Sequence, residues 1–325
     1  MKYFKSSIII TILGFLVSFI FLGGISALYV VVLLSILEIT LSFDNAVVNA
    51  KVLETMEPIW QQRFITYGIP VAVFGMRFLF PILIVAIASG HGVFETFLMA
   101  KNNPLEYEHT FDSVHHYIYA FGGAFLLMVF LDFLFDENRE IYWVQWIENN
   151  KLIQKIAHTE HTETIIALSI GLSLISIMNS VGVALAYFTG IILHLILLTL
   201  DELLNSNGVR SGVIGLLYLE ILDASFSFDG VIGAFALSNN LFIIMIGLGI
   251  GAMFVRSLTL YMVENKTLKE YQYLEHGAHY AIASLAGIMF IKMLDYHVNE
   301  MIVGTIGILF IVMAVGHSIL EKRKS

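Results

Sequence analysis

Long apolar runs of about 20 residues, separated by short polar stretches, constrain this sequence more than any other feature. Of its 325 residues 58% are hydrophobic and only 13% are charged, which is too little charge to cover a water-soluble domain of this size. Lipid-exposed spans must be helices, because their backbone groups find no water in the bilayer. The sequence therefore predicts an all-α polytopic membrane protein.

Composition also limits the chemistry. The chain has no Cys, so any metal ligand must be oxygen or imidazole. Its formal net charge is −9 and its basic residues form no stripe outside short loops, so we expect no nucleic-acid partner. We find no nucleophile–base motif, phosphate-binding loop or HExxH motif, and we predict that the protein is not an enzyme.

The number of helices depends on the apolar run at about 164–200, which is long for one crossing and short for two. A turn at Asn179–Ser180 would divide it and give ten helices with both termini in the cytoplasm. The basic loop residues other than Lys101 then lie on one side, as the positive-inside rule requires. A single crossing would give nine helices, and this alternative stays open. The apolar N-terminal stretch is interpreted as a retained first helix.

Two pairs of similar segments indicate an internal repeat. EITLSFDNAV at 38–47 aligns with DASFSFDGVI at 223–232. In the same order, DSVHHY followed by Asp132 aligns with EHGAHY followed by Asp295. Two matches in one order predict a duplicated architecture.

The repeat predicts the division of the chain. We expect an N-terminal half at 1–178 with helices 1–5 and a cytoplasmic interfacial loop at 136–163, and a C-terminal half at 179–325 with helices 6–10. An odd number of crossings separates the two copies, so the repeats would be inverted. Secondary transporters with inverted repeats bind their substrate at the repeat interface near the midplane.

Polar residues occupy every second position of the first motif in both copies. On an unbroken helix they divide between two faces, so that Glu38 lies with Ser42, whereas an unwound stretch would bring all of them onto one side. Irregular backbone at membrane depth is tolerated where it lines a cavity. Both conformations stay open. The residues are Glu38, Thr40, Ser42 and Asp44 in one copy and Asp223, Ser225, Ser227 and Asp229 in the other.

The charges within these runs do not balance. Glu220 lies three residues before Asp223 and shares its helical face. The acids outnumber the bases by about three, and each charge at membrane depth costs roughly 2.5–3.5 kcal/mol. Protons or a cation must therefore neutralise the acids, and an oxygen-rich ligand set favours Mn²⁺, Ca²⁺ or Mg²⁺. The acids are Glu38, Asp44, Glu220, Asp223 and Asp229, and the bases are Arg77 and Arg256.

These residues receive predicted roles. Asp44 and Asp229 recur in both halves and are the core metal ligands. Glu38, Asp223, Asn45 and Glu220 are further ligands or proton acceptors, and Thr40, Ser42, Ser225 and Ser227 are supporting polar groups. Arg77 and Arg256 are counter-ions or gates, and His116 and His279 are candidates for a proton relay. The alternatives are structural ion pairs, hydroxyls bonded to backbone carbonyls, and histidines packed at helix starts.

EITLSFDNAVV and EILDASFSFDGVIGAFAL resemble the two signature segments of the TerC/Alx family of integral membrane proteins, in particular its DUF475 branch. FGGAFLLMVFLDFLFD at 121–136 adds to the likeness. The resemblance implies a bacterial inner-membrane location and a role in Mn²⁺ efflux, metal homeostasis or tellurite resistance. It carries the family's acidic motif residues onto Glu38, Asp44 and Asn45 and onto Glu220, Asp223 and Asp229. Gly230, where many TerC-like proteins have Ser, is a departure that bears on ion coordination.

The sequence thus predicts a secondary transporter that exports a divalent cation, with Mn²⁺ the first choice, in exchange for protons or another ion. No permanent cofactor is expected, and the expected partners are the lipid bilayer, the cation and protons. Two other functions stay open. One is a non-transporting membrane partner that anchors a metal-homeostasis or tellurite-resistance complex, and the other is an exporter of a small organic substrate.

Overall fold

The computed structural model consists of helices joined by turns and loops. It describes residues 3–71, 74–75, 79–136, 139, 141–150, 153, 161–204, 212–235, 237–238, 240–298 and 300–323, and these contain no β-strand. The predicted all-α class is confirmed for this part of the chain. Arg77 lies outside the described residues, and so do the side chains of Ser225, Ser227 and Asp229, whose backbone is helical.

The chain divides into two compact units, and each unit combines a part of the first sequence half with a part of the second. Unit 1 comprises Met1–His115 and Leu204–Asn265, and unit 2 comprises His116–Leu203 and Lys266–Ser325. Both copies of the Ser-Phe-Asp segment therefore belong to unit 1. The two halves predicted from the sequence repeat have other boundaries than these two units. The division into halves stays a prediction.

Most of the helices follow one another with short connections, and the longest stretch without a long described helix lies between Leu134 and Thr162. In the first part of the chain they are α1 (Lys5–Phe21), α2 (Gly24–Leu41), α3 (Phe43–Glu54), α4 (Pro58–Pro70), α5 (Phe80–Ser89), α6 (Val93–Asn102) and α7 (Pro104–Leu134). The middle contains α8 (Gln145–Glu148), α9 (Thr162–Met178), α10 (Val181–Leu204) and α11 (Gly212–Phe235). The last part contains α12 (Leu241–Glu264), α13 (Thr267–Glu270), α14 (Leu274–Met293) and α15 (Glu300–Lys322).

Glycines allow α12 to approach α2 closely in unit 1. A Cβ atom at Gly247 would lie 2.5 Å from the Cβ of Leu34, and one at Gly251 would lie 2.4 Å from the Cβ of Glu38. The Ser35 hydroxyl donates a hydrogen bond to the carbonyl oxygen of Gly247 at 3.0 Å. Small residues of this kind bring helix backbones together in membranes, where no hydrophobic force acts between helices. Glu38 is thereby held against the backbone of α12.

Helix α1 also packs against α12. The hydroxyls of Ser7 and Ser257 lie 2.6 Å apart, and Ser7 also donates to the carbonyl oxygen of Met253 at 2.9 Å. Hydroxyl contacts of this kind connect helices in apolar surroundings. The N-terminal apolar stretch is therefore part of the fold of unit 1, and its interpretation as a retained first helix stays a prediction.

The apolar run at 164–200 forms two helices. Helix α9 is followed by Asn179, whose φ of 45° and ψ of 40° are left-handed, a conformation that Asn tolerates better than most residues. The Tyr187 hydroxyl on α10 donates to the carbonyl oxygen of Ala167 on α9 at 2.7 Å, so the chain turns back on itself. The predicted turn at Asn179–Ser180 is confirmed.

The segment before the apolar part of α7 is more helical than hydropathy predicts. Helices α5 and α6 meet at an angle of 117°, because Gly90 adopts a left-handed φ of 76° and ends α5. The Glu95 carboxylate then accepts a hydrogen bond from the Gly92 N–H at 3.3 Å and starts α6. Helix α7 begins at Pro104, where polar residues precede its apolar part. Proline and capping residues set these helix starts. A prediction from the position of apolar runs does not include them.

Several helices are long and apolar enough to cross a bilayer. In the described part of the chain these are α2, α7, α10, α12 and α15, and the bent pair of α5 and α6 would add a sixth, broken span. Helices α1 and α9 are apolar but shorter. The chain is a multi-pass membrane protein, and the count of ten helices stays a prediction.

The predicted interfacial loop contains one short described helix, α8. Trp146 on this helix is 78% exposed, whereas Glu148 is 2% exposed. An exposed Trp beside a buried acid suits a segment that lies on a membrane surface and contacts the protein with its other face.

Candidate functional site

The first copy of the repeated motif is a helix with a break of one residue. Ser42, with φ −107° and ψ 17°, separates α2 from α3. Its N–H donates to the Glu38 carbonyl oxygen at 2.9 Å, and its own carbonyl oxygen accepts from the Ala46 N–H at 3.3 Å. The second copy lies within the continuous helix α11. The unwound conformation is therefore wrong for both copies, since the backbone stays helical on either side of Ser42.

Helical geometry brings Glu38 and Ser42 together. The Ser42 hydroxyl donates to Glu38 Oε1 at 2.7 Å, and both side chains are buried. Ser42 is four residues after Glu38, which is the spacing at which helical side chains meet. Thr40 is on another face, where its hydroxyl donates to the Ile36 carbonyl oxygen at 2.8 Å. Thr40 therefore follows the structural alternative, and Ser42 interacts with an acid.

Asn45 connects the two copies of the motif. Its Nδ2 donates to Asp223 Oδ1 at 2.7 Å, although the two residues are 178 positions apart in the chain. Asn45 is 0% exposed and Asp223 is 5% exposed. The other amide atom of Asn45, Oδ1, is buried and has no hydrogen-bond partner among the described residues. A buried acceptor without a donor costs free energy, so this oxygen is available to a ligand.

Asp44 and Asn49 lie on the same short helix, α3. The Asn45 N–H donates to Asp44 Oδ1 at 3.0 Å, and Asp44 is in the first turn, where the helix dipole favours a carboxylate. Asn49 lies one turn beyond Asn45, and its buried Oδ1 also has no hydrogen-bond partner among the described residues. Sequence reasoning missed Asn49. The available signal was its spacing of four residues from Asn45 within an apolar segment.

Arg256 pairs with Glu220. Its Nη2 donates to Glu220 Oε1 at 3.3 Å, its Nη1 donates to the Phe64 carbonyl oxygen at 3.1 Å, and the guanidinium lies 4.1 Å from the centre of the Phe64 ring. A cation over an aromatic face gains electrostatic stabilisation. Arg256 therefore compensates the charge of Glu220. The charge of Asp44 has no basic partner among the described residues.

The two predicted relay histidines belong to unit 2. His116 Nε2 lies 2.9 Å from Asp295 Oδ1. His279 stacks on Phe133 with ring centroids 3.9 Å apart, and its Nδ1 lies 2.8 Å from the Glu275 carbonyl oxygen. His279 thus has the contacts of a histidine packed at a helix start, which was the alternative to a relay.

We define the oxygen cluster of unit 1 as a set of buried polar side chains on the segment from α2 to α3 and on α11, in which hydrogen bonds connect Glu38 with Ser42 and Asn45 with Asp223. Carboxylate, amide and hydroxyl oxygens are hard ligands, which suit Mn²⁺, Mg²⁺ and Ca²⁺ and not soft metals. The side chain of Asp229 lies outside the described residues, and its membership of the cluster stays a prediction. The oxygen cluster consists of Glu38, Ser42, Asp44, Asn45, Asn49 and Asp223.

Comparison with known proteins gives one match. A family model described as "Protein of unknown function (DUF475)" matches residues 43–325, which include α3 and every helix after it. No curated protein and no solved structure matches the chain.

Proposed function

We propose that this chain, which belongs to the DUF475 family, is a secondary transporter that exports a divalent cation, most readily Mn²⁺, in exchange for protons or another ion. The observation that carries the proposal is the hydrogen bond from Asn45 to Asp223. It joins the two copies of an acidic motif inside an apolar bundle. The amide oxygen of Asn45 is left without a protein partner among the described residues.

Charge supports a cation as the ligand of the oxygen cluster. Glu38, Asp44 and Asp223 are buried carboxylates, and Asp44 has no basic partner among the described residues, where Arg256 pairs with Glu220. Each uncompensated charge at membrane depth costs roughly 2.5–3.5 kcal/mol. A divalent cation removes two such charges at once, and protons remove them one at a time. A site that alternates between these two states exchanges a cation for protons.

The chemistry of the cluster suits Mn²⁺ as one of the hard cations, together with Mg²⁺ and Ca²⁺. Its oxygens include two amides as well as carboxylates, a mixture that Mn²⁺ accepts at six-coordinate sites. The resemblance to the TerC/Alx family points to the same ion. We extend the site to Asp229, which holds in the second copy the position that Asp44 holds in the first.

The proposed topology has ten helices in two inverted repeats, in the bacterial inner membrane, with both termini in the cytoplasm. Inverted repeats allow one binding site to open to either side in turn, because each repeat can adopt the conformation of the other. Two copies of one motif that meet at one buried cluster are what such a mechanism requires.

Cells that express the chain under Mn²⁺ load test the proposal. Wild type is expected to keep cellular Mn²⁺ below that of cells with an empty vector, whereas Asp44→Asn and Asp223→Asn remove ligand charges and should restore the empty-vector level. Total Mn²⁺ is measured by elemental analysis at matched expression. Asp112→Asn, an exposed acid in α7, is the matched control and should behave as wild type.

The alternatives predict other outcomes of the same assay. Equal Mn²⁺ content in cells with wild type, the variants and the empty vector would contradict export and favour the membrane-anchor function. Loss of protein from the membrane in both variants would show that the acids hold the fold together, as structural ion pairs do.

A further inference from the structure

A buried histidine in unit 2 has no part in the oxygen cluster. His194 lies near the middle of α10, in a run of apolar residues from Val181 to Leu200 that contains no charged side chain. His194 is 0% exposed. Ionisable residues inside membrane helices are rare and usually serve ion or proton pathways. The position of His194 inside an apolar helix therefore points to a function.

Helix α10 places His194 against α7. A Cβ at Gly182 would lie 2.7 Å from the Tyr117 ring, and one at Gly190 would lie 2.4 Å from the Phe121 carbonyl oxygen. Later residues of α10 thus contact later residues of α7, so the two helices run in the same direction. His194 follows Gly190 by one turn and lies on the same close-packed face.

The partner of His194 is Asp132, near the end of α7. His194 Nε2 lies 2.6 Å from Asp132 Oδ2. The Asp132 side chain is 27% exposed, and the His194 side chain is fully buried, with its ring edge-on to Phe125. His194 Nδ1 is buried and has no hydrogen-bond partner among the described residues. One ring nitrogen therefore bonds to an acid, and the other has no hydrogen-bond partner among the described residues.

We propose that the His194–Asp132 pair is the proton-carrying site of this transporter. The inference rests on the proposed function and extends it from the cation to the coupling ion. With neutral imidazole, Nε2–H donates to the carboxylate and the pair carries one negative charge. One proton from water converts the imidazole to imidazolium, with the new N–H on Nδ1, and the pair becomes neutral. Loss of that proton reverses the step, and the bond to Asp132 is kept in both states.

Other ionisable groups around α7 do not take part in this pair. Among the described side chains, the pair has no hydrogen bond, ion pair or ring contact other than their mutual hydrogen bond and the contact of His194 with the Phe125 ring. The side chains of Asp201 and Glu202, later in α10, lie outside the described part. The groups on α14 that contact α7 do so at other residues: His276 and His279 at Phe133, Tyr280 at Phe130, and Lys292 at Tyr119.

Two transport assays on the purified full-length chain in liposomes separate the cation site from the proton site. The first measures exchange of radioactive Mn²⁺ for unlabelled Mn²⁺, which needs no proton. The second measures accumulation of Mn²⁺ driven by an imposed pH gradient. His194→Gln keeps an N–H that can donate to Asp132 but cannot take a second proton. We expect this variant to keep exchange and to lose accumulation.

Control variants show whether a loss of transport is specific to one of the two sites. Asp44→Asn should lose both activities, and His91→Gln, a change in an exposed turn, should keep both. If His194→Gln cannot be reconstituted, Asp132→Asn is judged by the same criterion. Accumulation at the wild-type level in either variant would overturn the proton role, and so would loss of exchange together with accumulation. Wild type with exchange but no accumulation would refute the proton site alone, whereas wild type with neither would refute the transporter itself.

Discussion

The amide nitrogen of Asn45 donates a hydrogen bond to Asp223, and the amide oxygen has no hydrogen-bond partner among the described residues. The nitrogen must be the atom that faces Asp223, because an amide oxygen at 2.7 Å from a carboxylate oxygen would be repulsive. This fixes the direction of the amide oxygen. An Asp at this position could not make the same contact without a proton or a cation between the two carboxylates.

Substitution of Asn45 by Ala should destabilise unit 1. The carboxylate of Asp223 would lose a charge-assisted hydrogen bond while still buried, which costs about 1–3 kcal/mol. Thermal unfolding in detergent, followed by tryptophan fluorescence, measures the change, and Asn102→Ala at the exposed end of α6 is the control. Equal loss of stability in both variants would show that the contact with Asp223 contributes nothing specific.

Substitution of Asn49 by Leu tests whether its buried oxygen serves the ion. Leu has the same number and branching of side-chain heavy atoms as Asn and removes a buried acceptor that has no partner among the described residues, so we expect the stability to stay close to that of wild type. Loss of an outer partner of a metal site costs about 10–100-fold in affinity, and loss of a ligand should cost at least as much. Titration of the purified protein with Mn²⁺, followed by electron paramagnetic resonance, measures the affinity. Unchanged affinity would remove Asn49 from the site.

At this scale the sequence predicted the acids better than the amides. Glu38, Asp44 and Asp223 stand out because charge in an apolar run is costly and because the motif recurs. Asn49 carries no charge and has no counterpart in the second copy, so neither signal applied to it. His194 has no counterpart either, and its importance depends on Asp132, which is 62 residues away.

At the scale of elements, the close approach of α2 and α12 positions Glu38. Gly251 has no Cβ, so the backbone of α12 can lie against the Cβ and Cγ atoms of Glu38. The acid cannot swing towards α12 without a clash. The packing of two helices thereby restricts the orientation of a proposed ligand.

Gly251→Ala should destabilise the α2–α12 contact by about 1–3 kcal/mol, since the added methyl overpacks a tight interface. The matched control is Gly287→Ala in α14, where a Cβ would meet nothing within 4 Å. The control should gain up to about 1 kcal/mol, because Ala is the better helix former. Unfolding midpoints of the two variants should therefore move in opposite directions. A gain in both would contradict the close approach.

Glu148 connects the loop after α7 to the rest of unit 2. Its carboxylate accepts from the Trp143 N–H at 2.8 Å and lies 3.7 Å from Arg139 and 3.4 Å from His276. Burial lowers the pKa of the Arg139 guanidinium, and the charge of Glu148 opposes that shift. The loop is thus held by a buried acid and not only by an apolar face.

Glu148→Gln should release this loop. Gln can still accept from Trp143, but the buried guanidinium of Arg139 loses its opposite charge, at a cost of about 3 kcal/mol. Limited trypsin cleavage at Arg139 should become faster than in wild type, and Glu57→Gln, an exposed change in unit 1, should leave the rate unchanged. Cleavage at the wild-type rate in Glu148→Gln would contradict the role of the acid.

Elements were predictable where hydropathy or a turn residue marks them. The division at Asn179 was found because a polar pair interrupts an apolar run. The bend between α5 and α6 was not, because Gly90 and the Glu95 cap act through local geometry in a stretch without a strong hydropathy signal. The sequence predicted an interfacial loop around Trp146, and α8 is a short helix described within it.

For the whole molecule, the absence of Cys makes topology directly measurable. A single cysteine introduced at Lys101, Ser180 or Lys266 would be the only thiol of the chain, so no other residue would react with the label. The ten-helix topology predicts that an impermeant maleimide labels Lys101→Cys and Ser180→Cys in intact spheroplasts, and labels Lys266→Cys only after the membrane is opened. Labelling of Lys266→Cys from outside would favour nine helices and remove the inverted repeat.

The division into units has a consequence for synthesis. Ser7 on α1 bonds to Ser257 on α12, 250 residues later in the chain. At a translation rate of about 5–20 residues per second, α1 waits about 10–50 s in the membrane before its partner exists. During that interval Asn45 is already present and Asp223 is not. The nascent first half must therefore survive without the contact between Asn45 and Asp223, and insertion of the second half is the event that completes the cluster.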